Sequence, residues 1–218
     1  MRSVHAVFAA LIVPGLWSAA NAGEITPGVH RVVRNMFMME YGPVDPPPAF
    51  DRFCAGSPEE CRPHAQAKGF METAKRLEQL DEVNRKVNRE ILPETDIEHY
   101  GVEDYWTIPK DGKGDCEDYA LLKRHMLIAM GWPSGALLMT VVRIENGEGH
   151  AVLAARTNFG DLILDNRSDE LKLWYQTPYS FKMAQSPNNP IVWRDLDPSD
   201  DVLPAPIAVP GLIMNGLH

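Results

Sequence analysis

Along the chain, Ala74, Leu77, Leu80, Val83, Val87 and Ile91 recur at intervals of three and four, with lysine, arginine, glutamate and asparagine between them. This period predicts an amphipathic helix running from Met71 and stopped by Pro93. A second apolar run, residues 121–130, predicts a buried helix that ends at Gly131, before Trp132-Pro133. Beyond it the pattern shortens to that of strands, over 136–144, 150–156 and 162–166. The separators, Asn146-Gly147-Glu148-Gly149 and Asn158-Phe159-Gly160-Asp161, carry turn chemistry, so the three runs form an antiparallel meander. Residues 171–197 add aromatics and one or two further strands. Residues 23–63 are proline-rich and weakly patterned, with Pro46-Pro47-Pro48 extended and Met36, Phe37, Met38 and Met39 packed on the domain. Residues 93–114 read as a polar and aromatic loop, and the tail beyond Pro198 as irregular. An N-terminal helical part followed by hairpins makes an α+β domain.

The second helix opens on Gly114-Asp115-Cys116-Glu117-Asp118-Tyr119-Ala120. Gly112 and Gly114 let the chain turn, and Asp115 falls at the N-cap. Cys116 then lies in the first turn, where unpaired N–H groups and the helix dipole favour an anion. A thiol there loses its proton more readily, and the thiolate is the nucleophile. A small buried cysteine on an apolar helix is the other reading, and this stretch alone does not separate the two.

The N-terminus begins Met1-Arg2, continues in an apolar run over residues 6–20, and reaches Ala20-Asn21-Ala22. These are the parts of a secretory signal peptide cut after Ala22, leaving residues 23–218 as a single exported domain. A membrane anchor is the alternative, but the run is shorter than the roughly 20 residues a span needs, and Pro14 and Gly15 interrupt it. The chain holds 21 basic and 30 acidic residues; cleavage removes Arg2 and no acid, so the net charge moves from −9 to near −10. With no basic run or basic-aromatic stripe, that balance speaks against nucleic acid and anionic lipid as partners. Three cysteines remain after export. Cys54 and Cys61 flank a loop containing Gly56, Ser57 and Pro58, which suits a local disulfide in an oxidising compartment. A metal site with His64 as a third ligand is the competing reading. The disulfide leaves Cys116 as the unpaired thiol.

A thiol nucleophile needs a base, and the base needs a group to orient it. Of seven histidines, His5 is in the leader, His218 is terminal, and His30 and His64 fall in irregular sequence. His125 lies nine positions after Cys116, about half a turn round the helix, and faces away. His99 and His150 remain. His150 follows Gly149 and opens a strand, and antiparallel return through Leu162-Ile163-Leu164 brings Asp165 to the same end. Asp165 closes an apolar strand, so its charge calls for a partner. Cys116, His150 and Asp165 thus form a candidate triad.

These same residues carry a resemblance. Residues 114–120, Gly149-His150-Ala151-Val152-Leu153 and Leu164-Asp165-Asn166 resemble the bacterial transglutaminase-like cysteine proteinases, of the periplasmic LapG type. Asn84, Asn88, Tyr100-Gly101, Asp104-Tyr105-Trp106, the Cys54/Cys61 loop and Thr177-Pro178-Tyr179 extend it along nearly the whole mature chain. The resemblance implies a papain-like, transglutaminase-like fold, with Cys116 as nucleophile, His150 as base and Asp165 as orienting acid.

Asp115, Glu117 and Asp118 crowd the thiol with like charge, which raises its pKa. They either complement the helix dipole or hold a hard cation such as calcium. The resemblance implies calcium-dependence, with Ca2+ held by the acids flanking the cysteine, and Asp115, Glu117 and Asp118 match those positions; Asp104 is a further, weaker candidate. For the oxyanion, the Cys116 N–H is the expected donor; the Trp106 indole reads either as a second donor or, as is commoner for a tryptophan, as a packing residue. The resemblance also implies a substrate and a partner: the N-terminal region of a large surface adhesin, cut to disperse biofilm, and the periplasmic domain of an inner-membrane cyclic di-GMP receptor. The residues also fit a transglutaminase or amidase, in which an amine takes the acyl group. A non-catalytic calcium- or receptor-binding module is a further reading, against which the intact Cys, His and Asp set argues.

Overall fold

In a computed structural model of the chain, residues 36–63 and 74–197 are described. The expected leader, His30, His64 and the tail from Pro198 lie outside the described residues.

The described chain is an antiparallel seven-stranded sheet with helices packed against it. β1 (Pro43–Val44) is followed by α1 (Pro48–Gly56) and α2 (Ala74–Glu90). β2 (Leu92–Pro93), α3 (Asp96–His99) and β3 (Lys113–Gly114) lead into α4 (Cys116–Ala129). The remaining strands are β4 (Leu137–Arg143), β5 (Gly149–Thr157), β6 (Gly160–Asp165), β7 (Ser168–Leu173), β8 (Ser180–Ser186) and β9 (Asn189–Asp195). The large sheet runs β1-β9-β8-β4-β5-β6-β7, and β2 and β3 pair separately.

The two long helices and the β4–β5–β6 meander stand where the periodicities predict them. Leu80, Val83 and Val87 are the buried face of α2, and α4 ends at Ala129 with Gly131 in a left-handed conformation, at φ 87°. β5 lies between β4 and β6, so both of its edges are paired, and with an apolar cluster on each face its burial is nearly continuous.

Three expectations are corrected. Pro46-Pro47-Pro48 is not extended throughout, because Pro48 opens α1. A proline is well suited to the first helical position, where its missing N–H leaves nothing unpaired. Ala49, Phe50 and Phe53 then bury the inner side of that helix. The loop at 93–114 is more ordered than its composition suggests: a capping box at Thr95 and Glu98 sets α3, and β2 and β3 pair in parallel, Leu92 with Lys113 and Pro93 with Gly114. The 168–195 region supplies three strands, one more than the larger of the expected numbers. Of the methionine group, Met38 is buried while Met39 is exposed.

Two apolar clusters occupy the two faces of the sheet. One packs α1, α2 and α4 on Leu137, Met139, Leu153, Ala155 and Leu164. The other gathers Leu138, Val142, Val152, Ala154, Ile163 and Phe181, the alternate residues of the same strands. Cys54 and Cys61 are bonded to each other, leaving Cys116 the free cysteine among the described residues. The loop they close is tied to α4 by Arg124, which donates from Nη1 to the Glu60 carbonyl at 2.8 Å and from Nε to the Leu137 carbonyl at 3.2 Å. These bonds serve two of the three nitrogens of a guanidinium that is almost completely buried; Nη2 finds no partner among the described residues. No helix among the described residues is long and apolar enough to cross a membrane.

Trp193 on β9 is fully buried, edge-on to Phe50 at 5.2 Å and 6.2 Å from Trp106. It joins β9, α1 and the loop that leads to α4. Trp193→Ala is expected to cost about 3–5 kcal/mol in urea unfolding. Ile191→Ala, at an exposed position of the same strand, is expected to change stability by less than about 0.5 kcal/mol.

Candidate active site

The β3 strand delivers Gly114 to the start of α4, and the helix begins at Cys116 with Asp115 as its N-cap. Gly114 is required there, since a β-carbon on it would stand 2.7 Å from Cβ of Asp118. The sulfur of Cys116 accepts from the Ala151 N–H at 3.4 Å and donates to Glu117 Oε2 at 3.2 Å. Cys116 and His150 line the same open groove of about 370 Å³, with Glu103, Asp104 and Trp106 on its rim.

His150 and Asp165 are both buried and meet at 2.9 Å, from ring Nε2 to Oδ1. Nδ1 is thereby the nitrogen left for a thiol. The ladder pairs Leu153 with Leu164; carried one step further, it sets Asp165 opposite Val152, a diagonal neighbour of His150 on the same face. Burial pushes the Asp165 pKa up, but hydrogen bonds from His150, Tyr179 and the Arg167 N–H together hold it below the usual carboxylate value. Of the other histidines that survive in described sequence, His99 pairs with Asp111 at 2.8 Å and Glu94 at 3.6 Å. His125 pairs with Glu60 at 2.6 Å. Neither lines the groove.

The acids expected around the thiol converge there with two more. Asp115, Cys116 and Glu117 offer ligand atoms within 4.8 Å of one another, as do Asp96, Asp115 and Asp118, and Asp96, Asp104 and Glu117. Asp96 is the residue that sequence reasoning missed. It is buried on the four-residue α3 and reaches the cluster because β2 pairs beside β3. The readable signal was the Thr95/Glu98 box, which fixes a helix start but not the direction of Asp96. Asp96 Oδ2 accepts from the Tyr105 N–H and Asp118 Oδ1 from the Thr107 N–H, the latter at 2.9 Å. Asp96 Oδ1, Asp115 Oδ1 and Asp118 Oδ2 are buried with no hydrogen-bond partner. The Trp106 indole gives its N–H to Asp104 at 2.9 Å and packs edge-on to Phe50 at 5.7 Å, the packing role rather than that of an oxyanion donor.

Unpaired carboxylate oxygens out of water are costly. Burial raises the Asp118 carboxyl to about 8, and burial with the Asp115 charge raises Glu117 well above its ordinary range. Burial, then the Glu117 charge, pushes the Cys116 thiol up as well. Several buried carboxylate oxygens lacking donors are the donor set of a hard divalent cation such as calcium. The residues present fit that group.

The sequence profile of the bacterial transglutaminase-like cysteine proteinases matches residues 40–201, and the protein belongs to that family. No curated protein matches it. Solved structures of Legionella pneumophila LapG are similar to it. The calcium-bound form is 28% identical over 52% of this chain and 66% of that one, with a TM-score of 0.44. The EGTA-treated form is 27% identical over 57% and 69%, with a TM-score of 0.47. A further LapG structure is 31% identical over 50% and 64%, with a TM-score of 0.43. The match to the first of these thus falls just short of two thirds of its length.

A carboxyl whose folded pKa lies above its unfolded value contributes stability at low pH that is lost as pH rises towards the folded value. For Asp118 that interval runs from about 4 in the unfolded chain to about 8 in the folded one. In EGTA, Asp118→Asn is therefore expected to match wild type in thermal midpoint at low pH and to exceed it increasingly towards pH 8. A gap that closes as pH rises would contradict the burial of this charge.

Proposed function

We propose that this member of the cysteine proteinase family is a periplasmic, calcium-dependent endopeptidase using Cys116, His150 and Asp165. The observation that carries the reading is the arrival of a free thiol at a helix start and of a buried His–Asp pair at one groove. In the proposed reaction His150 takes the thiol proton, and the Cys116 sulfur attacks the peptide carbonyl carbon. The oxyanion is held by the Cys116 backbone N–H. His150 then gives its proton to the departing amine as the C–N bond breaks, leaving a thioester. Water, deprotonated by His150, hydrolyses that thioester and restores the thiol. Asp165 keeps the imidazole oriented and supports its positive charge.

Asp96, Asp115, Glu117 and Asp118 would hold Ca2+, with Asp104 beside them, and the ion would supply positive charge where the carboxylates otherwise oppose the thiolate. By family resemblance, the substrate is the N-terminal region of a large surface adhesin, cut at a small-residue, Ala-Ala type site, and cleavage disperses biofilm. The partner is the periplasmic domain of a cyclic di-GMP-responsive inner-membrane receptor that sequesters the protease. The papain-like, transglutaminase-like fold and export through the 1–22 leader belong to the same proposal. The Cys54–Cys61 bond is consistent with an oxidising compartment.

Cys116→Ala is expected to abolish cleavage of an adhesin N-terminal fragment while leaving the thermal midpoint within a few degrees; retained cleavage would remove the assignment. Wild type in excess EGTA is expected to lose most of its activity and to recover it with added calcium, and full activity in chelator would count against the ion. Supplying a glutamine donor with a labelled amine is expected to give no incorporation, whereas incorporation would make the protein a transglutaminase.

A further inference from the structure

Asp165 accepts on both oxygens. Oδ1 takes the His150 ring at 2.9 Å and the Arg167 N–H at 3.0 Å. Oδ2 takes the hydroxyl of Tyr179 at 2.5 Å. The same tyrosine lies edge-on to the His150 ring, with centroids 5.7 Å apart at 71°. The Arg167 guanidinium stands over the Tyr179 ring at 5.7 Å, reaches its hydroxyl at 3.5 Å, and is anchored by Glu145 at 3.3 Å.

The placement follows from an unusual connection. β7 is the far edge of the sheet, and β8 lies beyond β4 on the other side of β5. The chain between them therefore crosses the end of the sheet, over β6, β5 and β4. Tyr179 is its last residue before β8, and it sits where that crossing passes His150 and Asp165. Trp174, at the start of the crossing, packs edge-on to Phe181 at 5.6 Å, which fixes the segment to the second apolar cluster.

A carboxylate that only steered an imidazole would need one donor on its second oxygen to stop it rotating about χ2, and a phenol held by its own ring contacts is a rigid one. Burial, then the Asp165 charge, pushes the Tyr179 pKa well above its ordinary value, so the hydroxyl remains a donor at all working pH values.

Resting on the thiol-nucleophile reading above, we propose that Tyr179 is a positioning residue of the site, locking the Asp165 carboxylate and backing the His150 ring so that Nδ1 is turned to Cys116. It touches no reacting atom; it acts through Asp165 and His150. Arg167 orients it in turn, through the ring face and the hydroxyl.

The test is Tyr179→Phe, which keeps the ring and removes the hydroxyl, compared with wild type in excess calcium. The readouts are the rate at which iodoacetamide alkylates Cys116 at neutral pH and the low-field proton resonance of the His150–Asp165 hydrogen bond. The variant is expected to alkylate roughly tenfold more slowly, to shift that resonance upfield, and to keep its thermal midpoint within a few degrees. Arg167→Met is expected to give a smaller loss in the same direction. An unchanged rate with an unmoved resonance would overturn the role of Tyr179, as would a loss of rate matched by general unfolding with the resonance unmoved. Should wild-type Cys116 itself alkylate no faster than free cysteine, the nucleophile reading fails, and this inference with it. The two failures are thus distinct.

Discussion

The structure depends on burying negative charge beside a thiol. Two influences act on Cys116 in opposite senses. The helix start offers N–H groups and a dipole that favour the thiolate, an effect usually worth about 0.3–1 kcal/mol, and up to about 2 in a partly buried setting. Against it stand desolvation and the neighbouring carboxylates of Glu117 and Asp115, which carry the thiol pKa well upward. The opposing set wins. The helix N-terminus therefore does not by itself hold the Cys116 pKa down, and the Ala151 N–H at 3.4 Å, a further donor to the sulfur, does not reverse the balance. The acids that oppose the thiolate are also those whose oxygens lack donors, so one positive charge relieves both strains.

What the sequence could tell follows from which contacts are local. α2 was legible because its apolar spacing repeats over 17 residues, α4 because an apolar run stops at Gly131, and β4–β6 because turns of glycine and asparagine join them in order. His150 and Asp165 followed from that meander alone, since hairpin pairing sets which strand ends meet. α1 was not legible. Its proline run favours extended backbone locally, and the helix forms because Phe50 finds Trp106 and Trp193, both far along the chain from it. Asp96 was illegible for a related reason. Its approach to Asp115 is made by β2 and β3, two residues each, which are too short to carry a period. Tyr179 was visible as a motif residue but not as a partner of Asp165, because a crossing over three strands has no signature in spacing.

The two halves of the site come from different parts of the chain and lie against different faces of the sheet. Residues 96–118 bring the acids and the sulfur from the helix side. His150 and Asp165 stand two residues from Val152 and Ile163 respectively and so share the face of the second cluster, where Tyr179 packs too. The halves meet where β5 begins, because there the end of the sheet leaves the helix start and the strand side chains with no layer between them. Charge introduced among the acids thus changes the proton affinity of the sulfur while leaving the bonds of the His150–Asp165–Tyr179 set in place. Tyr179, in contact with Asp165 and His150, stands apart from the carboxylate cluster. On the proposed mechanism, the thiolate would depend on two conditions set by separate groups: relief of the repulsion at one face, and a correctly turned ring at the other.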